Sequence, residues 1–421
     1  MRRLGSMLRR HSGLINYTIL NYLDKALSFA VPLVVLWIFA DKEIYNEIEY
    51  VFSVAAILAV VIELGVRNYF LYAYKESTDR DGLVAEVRAG FLFQFAVYFA
   101  LGLVTLAVSY AVGGSLNPIY FFIVIRALFM YFVSFFTIYY RLIDRPSAVF
   151  GFSIATNVIT IAIVLGCRLF ADEINLGYFF VGQTILACGV FVAAFKFRGQ
   201  IQVRLFARYL KQAIVFAWPI ILNVFLFMFI YNYGRVYARN FLSEEQMFHI
   251  SFVQRIALII QLAHQSGVGY LSKRVFIDER PHVDRRVFVL YSGMMGLAVV
   301  GVFACLLGMN WIGLKNSVGI DLVTLLIVSY TVMWCYVAFF EMYINKMNKN
   351  RYILLFSGVA SVVFIGALNL FNGGTLVGIS AAMTGSMAVN LGLVIGYLLR
   401  KERVRHAAQV AADSYQYSAT Q

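Results

Sequence analysis

Charged residues are scarce in this sequence of 421 residues. Asp, Glu, Lys and Arg make up 14% of the chain, while hydrophobic residues make up 61% and the mean hydropathy is +0.77. A soluble domain typically carries about 25% charged residues, because its surface must be hydrated. This composition therefore excludes a soluble protein and predicts an integral membrane protein.

Cysteine pairs and recognisable catalytic motifs are also lacking. The four cysteines lie in apolar segments without a C-x-x-C spacing, so we expect neither a metal site nor a redox pair. No G-x-x-x-x-G-K-S/T phosphate loop is present, which excludes nucleotide hydrolysis by that route. The connections at 113–117 and 372–374 are too short to hold a sugar acceptor. We therefore expect no enzyme activity, no cofactor and no metal ion.

Long apolar runs, by contrast, are abundant. A helix needs about 20 apolar residues to cross roughly 30 Å of hydrocarbon. Runs of this kind cover residues 14–40, 47–72, 87–112, 118–143, 147–170, 174–197, 213–238, 248–276, 287–313, 319–345, 352–371 and 376–399. The sequence therefore predicts an all-α membrane protein of about twelve transmembrane helices, with no room left for a soluble domain.

Lysine and arginine are distributed unevenly between alternate connections. If the amino terminus is cytoplasmic, 26 of the 35 Lys and Arg residues lie in cytoplasmic segments, and the opposite loops hold only Lys42, Arg168, Arg239 and Lys315. The positive-inside rule then places both termini in the cytoplasm. Basic loops beside an anionic leaflet also account for the net charge of +13, so we expect no nucleic-acid partner.

A short motif occurs twice in the chain. Its first copy consists of Ala26, Phe29, Ala30 and Pro32, and its second copy, 187 residues later, consists of Ala213, Phe216, Ala217 and Pro219. Proline removes a hydrogen bond from a helix interior, so Pro32 and Pro219 are expected to break a helix in each half. A weaker echo is the Gly-Val pair at 65–66 and 267–268. Two homologous halves with a broken helix in each are typical of transporters.

The repeat divides the chain into two parallel six-helix halves. We predict an N-lobe at 1–195 with spans 1–6, a basic cytoplasmic linker at 196–212, a C-lobe at 213–400 with spans 7–12, and a cytoplasmic tail at 401–421. With six spans each, both halves begin and end on the same side. The two lobes should therefore be related by an axis along the membrane normal, around a central cavity. The linker is amphipathic and is expected to lie on the membrane surface.

Ionisable residues well inside the spans identify candidate functional positions, since each is costly there unless it faces a partner or water. The bases are Lys25, Arg67, Arg126, Arg235 and Arg255, and the acids are Asp24, Glu63 and Glu341. The excess of positive charge favours an anionic substrate, because Arg presents forked donors to phosphate oxygens. We therefore assign the bases to substrate binding along a translocation path.

Several of these positions also have a structural interpretation. Glu63 and Arg67 are spaced i,i+4 and can pair on one helix face. Arg235 lies near a helix end and can anchor the helix at the membrane interface. The candidates for proton or ion coupling are Asp24, Glu63, Glu341 and His264. A histidine in a membrane helix can equally be a hydrogen-bonded packing residue.

Two segments carry a resemblance to a known family. They are NYLDKALSFAVPL at residues 21–33 and ELGVRNYF at residues 63–70, the latter before a charged loop. Both are similar to segments of the polysaccharide transport family, which belongs to the multidrug/oligosaccharidyl-lipid/polysaccharide (MOP) flippase superfamily and includes the O-antigen lipid flippases. The resemblance is best over about residues 10–90, and the length, span count and repeat agree over about residues 10–400.

The resemblance implies a V-shaped pair of six-helix lobes in the bacterial inner (cytoplasmic) membrane. Such a protein moves a polyprenyl-diphosphate-linked oligosaccharide, for O-antigen or another surface polysaccharide, from the cytoplasmic to the outer leaflet by alternating access. A basic cavity is expected to hold the diphosphate and glycan. The expected partners are this lipid-linked oligosaccharide, membrane lipid, a proton or ion gradient, and polymerase and chain-length proteins.

Three other interpretations remain open. A cation-coupled multidrug exporter of the same superfamily would carry cationic drugs, which an interior of net positive charge disfavours. A Major Facilitator transporter also has parallel six-span halves, and DRDG at residues 79–82 superficially resembles its loop motif, but the flanking glycine and basic residues are missing. An intramembrane glycan polymerase or ligase would need an extended outer loop with catalytic groups.

Overall fold

The computed structural model describes residues 12–113, 118–143, 148–170, 173–196, 203–237, 239, 241–277, 283–311, 318–347, 349–371 and 374–419. Every regular element in these ranges is a helix. A helix satisfies all its interior backbone groups within one segment, which is what a chain surrounded by hydrocarbon requires. The prediction of an all-α protein is therefore confirmed.

The described ranges contain thirteen α-helices in chain order. They are α1 Ser12–Phe39, α2 Lys42–Glu63, α3 Val66–Glu76, α4 Arg80–Gly113, α5 Ile119–Leu142, α6 Ala148–Phe170, α7 Leu176–Lys196, α8 Val203–Val236, α9 Glu244–Ile277, α10 Arg285–Trp311, α11 Leu322–Lys346, α12 Asn350–Leu370 and α13 Leu376–Ala419.

Twelve of these helices are long and apolar enough to cross a bilayer, which confirms the predicted number of spans. The other one, α3, has 11 residues and is too short. Large hydrophobic side chains are exposed along the spans: Trp37 of α1 is 71% exposed and Leu297 of α10 is 76% exposed. Apolar surface of this extent is compatible with lipid and not with water. The chain is therefore a multi-pass membrane protein.

Polar residues mark the starts of several helices. At the start of α2, Asp41 Oδ1 accepts a hydrogen bond of 3.0 Å from the backbone N–H three residues on, and Asp321 caps α11 in the same way at 2.8 Å. At the start of α9, Ser243 and Gln246 each accept a hydrogen bond from the other's backbone N–H. Such caps satisfy N–H groups that a helix leaves without an internal partner.

The chain divides into two compact units, and the first is Met1–Val236. In this unit α1 packs on α6, α2 packs on α5 and α8, and α7 packs on α4, α5 and α6. Aromatic rings fill the space between α4 and α5, where the ring centroid of Phe91 lies 4.2 Å from that of Phe135 and 4.9 Å from that of Tyr131. Because lipid tails are as apolar as the helices, close packing of this kind holds membrane helices together.

The second compact unit is Tyr237–Gln421. Within it α11 packs on α9 and α13, α10 packs on α9, and α12 packs on α13. Tyr291 of α10 stacks on Phe339 of α11 with ring centroids 4.2 Å apart. The hydroxyl of Thr384 in α13 donates a hydrogen bond of 2.9 Å to the carbonyl of Leu326 in α11. The core of this unit therefore combines ring stacking with polar contacts between helices.

The compact units divide the chain at a different place from the predicted linker at 196–212. The helix that includes the second part of the linker, α8, packs on α2 and α3 and so belongs to the first compact unit. The two repeated lobes at 1–195 and 213–400 stay a prediction.

The second part of the linker is not a separate surface segment. Residues 203–212 form the first turns of α8, a continuous helix of 34 residues, while residues 197–202 lie outside the described residues. Phe206 and Tyr209 are each 5% exposed. A Cβ at Gly90 would overlap the ring of Phe206, and the Tyr209 hydroxyl donates to the carbonyl of Val66 at 3.4 Å. Aromatic packing of residues 203–212 against α3 and α4 therefore holds this segment in place.

The repeated prolines do not break their helices, contrary to the prediction. Pro32 lies inside α1 and Pro219 lies inside α8, and both helices continue through the proline. Neighbouring helices can compensate for the missing hydrogen bond, which is why membrane helices tolerate proline.

A break occurs in the second span instead. α2 ends at Glu63, and Leu64 (φ 47°) and Gly65 (φ 71°) have left-handed backbone conformations before α3 begins. A Cβ at Gly65 would overlap that of Ala217, so the break lies directly against the second copy of the repeated motif. Gly267, its echo in the second half, lies within the unbroken helix α9. The interruption is therefore not shared by the two halves.

Candidate functional site

Asp24 lies in the interior of the first unit, between α1 and α6. Its side chain is 2% exposed and accepts a hydrogen bond from Ser153, while its Oδ1 has no hydrogen-bond partner among the described residues. One turn further on, Asn157 Nδ2 donates to Ser28 Oγ at 3.1 Å and joins the same two helices. Lys25 is only half-buried. A buried carboxylate in such polar surroundings can hold a proton or a cation.

Arg126 of α5 lies close to Asp24. Its guanidinium carbon is 3.9 Å from the ring centroid of Phe52 in α2 and 5.3 Å from that of Phe129. The guanidinium is also within electrostatic range of the Asp24 carboxylate. A cation over an aromatic face is attracted by about 0.5–2 kcal/mol, most strongly when desolvated. The structure therefore brings Asp24, Lys25 and Arg126 into one group, which we call the Asp24–Arg126 cluster.

Arg235 is part of a buried ion pair. Its Nη1 lies 3.2 Å from Glu49 Oε2 and 3.4 Å from Ser53 Oγ, and the exposed fractions of Arg235 and Glu49 are 5% and 0%. The interpretation of Arg235 as an interface anchor is therefore wrong, because a side chain that reaches the interface would be exposed.

Glu49 is a residue that the sequence reasoning missed. It lies within the predicted span 47–72, and an acid inside an apolar run is itself the signal that could have identified it. Adding Glu49 to the candidates named above gives five bases and four acids, so their excess of positive charge falls from two to one.

Glu63 and Arg67 lie on opposite sides of the break. Glu63 is the last residue of α2, and its Oε2 accepts a hydrogen bond of 3.2 Å from Ser134 of α5. Arg67 is in the first turn of α3, and its side chain lies outside the described residues. Their i,i+4 spacing does not place them on one helix face, because α2 ends between them.

The second unit contains the remaining candidates. Arg255 is 5% exposed on α9, and Glu341 is half-buried on α11. His264 Nδ1 lies 2.6 Å from the hydroxyl oxygen of Tyr291, and that hydroxyl donates to the carbonyl of Cys335 at 2.9 Å. Since a tyrosine hydroxyl has a single hydrogen, His264 Nδ1 must be the donor to Tyr291. His264 thus links α9, α10 and α11, as a packing residue would.

His249 Nε2 lies 3.4 Å from Asp321 Oδ1, which is a contact between two metal-ligating side chains in the part of the chain that the structure describes. Within the described residues, no three His, Cys, Asp or Glu side chains come together in a way that could hold a metal ion.

Comparison with known proteins gives matches among solved structures. No family profile matches the sequence, and no curated protein matches it. The MATE multidrug transporter DinF-BH, in a ligand complex, aligns with a TM-score of 0.62 and 14% identity, covering 94% of this chain and 95% of the transporter. The lipid II flippase MurJ in an inward closed conformation aligns with a TM-score of 0.52 and 13% identity, covering 91% and 87%.

An inward-facing multidrug resistance MATE family transporter of the MOP superfamily also aligns, with a TM-score of 0.54 and 13% identity over 90% and 95% of the two chains. The chain therefore shares its fold with these three transport proteins. Identities of 13–14% extend this likeness to the fold alone. The shared fold agrees with the predicted all-α transmembrane fold class. A shared fold does not distinguish a transporter of a lipid-linked cargo from a transporter of drugs.

Proposed function

We propose that the chain is a flippase that moves a polyprenyl-diphosphate-linked oligosaccharide across the bacterial inner membrane by alternating access, with both termini in the cytoplasm. The observation that carries the proposal is the position of Arg126, which lies within the membrane-spanning part of α5 against Phe52 and near Asp24. The forked donors of Arg suit the oxygens of a diphosphate. Removal from water strengthens such an interaction.

The bases have separate roles in this proposal. Lys25, Arg67, Arg126 and Arg255 engage the diphosphate or acidic sugars in turn. Arg235 keeps its ion pair with Glu49 and stabilises the path without binding the cargo.

Asp24 is the proposed coupling group. Its carboxylate is buried and lies within electrostatic range of the Arg126 guanidinium, so a proton or cation bound there would neutralise the charge that attracts the guanidinium. Arg126 would then be available to the diphosphate. Loading of Asp24 and binding of the cargo are thereby linked through one electrostatic contact.

A multidrug exporter is the second candidate. It is favoured by Glu49, which lowers the excess positive charge of the interior, and by the TM-score of 0.62 with the multidrug transporter DinF-BH. The exporter and the flippase differ in the sign of the charge that the site must accept.

Binding measurements on the purified protein in lipid nanodiscs separate the two candidates. Undecaprenyl diphosphate serves as the anionic probe, and the dye ethidium serves as the cationic probe. The flippase proposal predicts binding of the diphosphate that weakens about tenfold or more in Arg126→Ala, because a charge-assisted contact is lost. Arg168→Ala, which removes an exposed arginine near the end of α6, is the matched control. Binding of ethidium without binding of the diphosphate would replace the flippase with the exporter.

A cellular test addresses translocation itself. The double variant Arg126→Ala, Arg255→Ala should abolish surface glycan while the protein remains in the membrane at its usual level. Surface glycan at the wild-type level in this variant would contradict the proposed path.

A further inference from the structure

The break after α2 leaves backbone carbonyl groups without helical partners. The last turn of a helix has no N–H groups to offer its carbonyls, and a backbone group left unsatisfied in hydrocarbon costs several kcal/mol. One of these carbonyls is that of Ile62, which accepts a buried hydrogen bond of 2.7 Å from Gln94 Nε2 of α4. A side chain from another helix thus replaces the bond that the break removes.

The amide of Gln94 is itself held in place. The Tyr131 hydroxyl donates to Gln94 Oε1 at 2.7 Å, and Gln94 Nε2 donates to the Tyr98 hydroxyl at 3.3 Å. Gln94 is 5% exposed and Tyr131 is 1% exposed. Both ends of the amide are therefore engaged, and rotation of the side chain would break three hydrogen bonds at once.

Contacts with α8 also stabilise the break. Leu64 has a left-handed backbone, which costs a non-glycine residue about 1–2 kcal/mol and persists only where the surroundings enforce it. Gly65 lies so close to Ala217 of α8 that a Cβ would not fit. Contacts from α4 and α8 thus fix the backbone between Glu63 and Arg67.

We propose that Gln94 is a positioning residue that maintains this break and so sets the backbone from which Glu63 and Arg67 project. The inference rests on the proposed function, because it assigns Gln94 an effect on cargo binding through Arg67. Gln94 itself does not touch the cargo. Without its donor, the carbonyl of Ile62 would favour continuation of the helix through Leu64, which would change the direction of the backbone at the start of α3.

Hydrogen–deuterium exchange tests the structural part on the full protein in nanodiscs. In Gln94→Leu the amide hydrogens of residues 61–70 should exchange about tenfold slower than in the wild type, because a helix that continues through Leu64 protects them. Faster exchange would contradict this mechanism. Gln183→Leu is the matched control, since Gln183 is a glutamine of α7 that is also buried, at 3% exposure. Unchanged exchange in Gln94→Leu would overturn the proposal.

A double-mutant cycle tests the functional part, with undecaprenyl diphosphate as the probe. Gln94→Leu and Arg67→Ala should each weaken binding about tenfold, and the double variant should be no weaker than either alone, because Gln94 acts through Arg67. An additive loss of about a hundredfold would overturn the positioning role and leave the proposed function intact. If Arg67→Ala and Arg126→Ala both bind as the wild type does, the proposed function fails, and hydrogen exchange alone then decides whether Gln94 holds the break.

Discussion

Arg235 of α8 and Glu49 of α2 form an ion pair buried within the first unit, with 3.2 Å between Nη1 and Oε2. The side chains of Arg235 and Glu49 are 6% and 0% exposed, so each charge depends on the other for compensation. The ion pair connects α8 with α2, which is the second span.

Removing one partner of this pair should destabilise the protein more than removing both. Glu49→Gln or Arg235→Met alone should lower the free energy of unfolding by about 3–5 kcal/mol, because an uncompensated charge stays buried. The double variant should lose much less. Thermal unfolding in detergent compares the midpoints, and a double variant that loses the sum of both single effects would contradict the pairing.

Arg126 should be sensitive to a change of shape at constant charge. Arg126→Lys should weaken binding of undecaprenyl diphosphate about tenfold, because a single ammonium replaces the bidentate fork. Phe52→Leu removes the ring beneath the guanidinium and should cost about 0.5–2 kcal/mol of binding free energy. Titration in nanodiscs measures both. Wild-type affinity in Arg126→Lys would show that the site needs only a positive charge.

Gly65 should not tolerate a side chain. Gly65→Ala should destabilise the protein by about 1–3 kcal/mol, because its Cβ would overlap Ala217 and its backbone is left-handed. Ala217→Gly in the same chain should recover part of the loss by removing the overlap. Gly189→Ala is the control, since no atom lies within 4 Å of the added Cβ. Equal melting temperatures for Gly65→Ala and the control would contradict the close approach.

His264 should act through its hydrogen bond. Tyr291→Phe should destabilise the protein by about 1–3 kcal/mol, because His264 Nδ1 and the Cys335 carbonyl both lose their partner. His264→Asn keeps a donor and should retain stability and transport, whereas His264→Leu should lose stability. Melting temperatures and surface glycan measure the two effects. A stable His264→Asn variant that does not transport would instead support a role in proton coupling.

Part of the site could be read from the sequence. Asp24, Lys25 and Arg126 were recognised as candidates because an ionisable residue in an apolar run is costly wherever it points. Their proximity was not predictable, since they lie on helices that are distant in the chain. The pairing of Arg235 with Glu49 and the hydrogen bond from Gln94 to Ile62 were missed for the same reason.

The helical class and the twelve spans follow from the local sequence, because the need to bury apolar side chains in lipid and to satisfy backbone groups acts within each segment. Local caps such as Asp41 and Asp321 likewise mark helix starts. The position of the helix break, by contrast, depends on contacts between helices. The i,i+4 pattern from Glu63 to Arg67 indicated a continuous helix, but hydrogen bonds from α4 and the close approach of Ala217 stabilise a left-handed backbone between them. Pro32 and Pro219 predicted breaks, but both lie within continuous helices. Neighbouring helices, and not the local sequence, compensate for the backbone hydrogen bond that each proline removes.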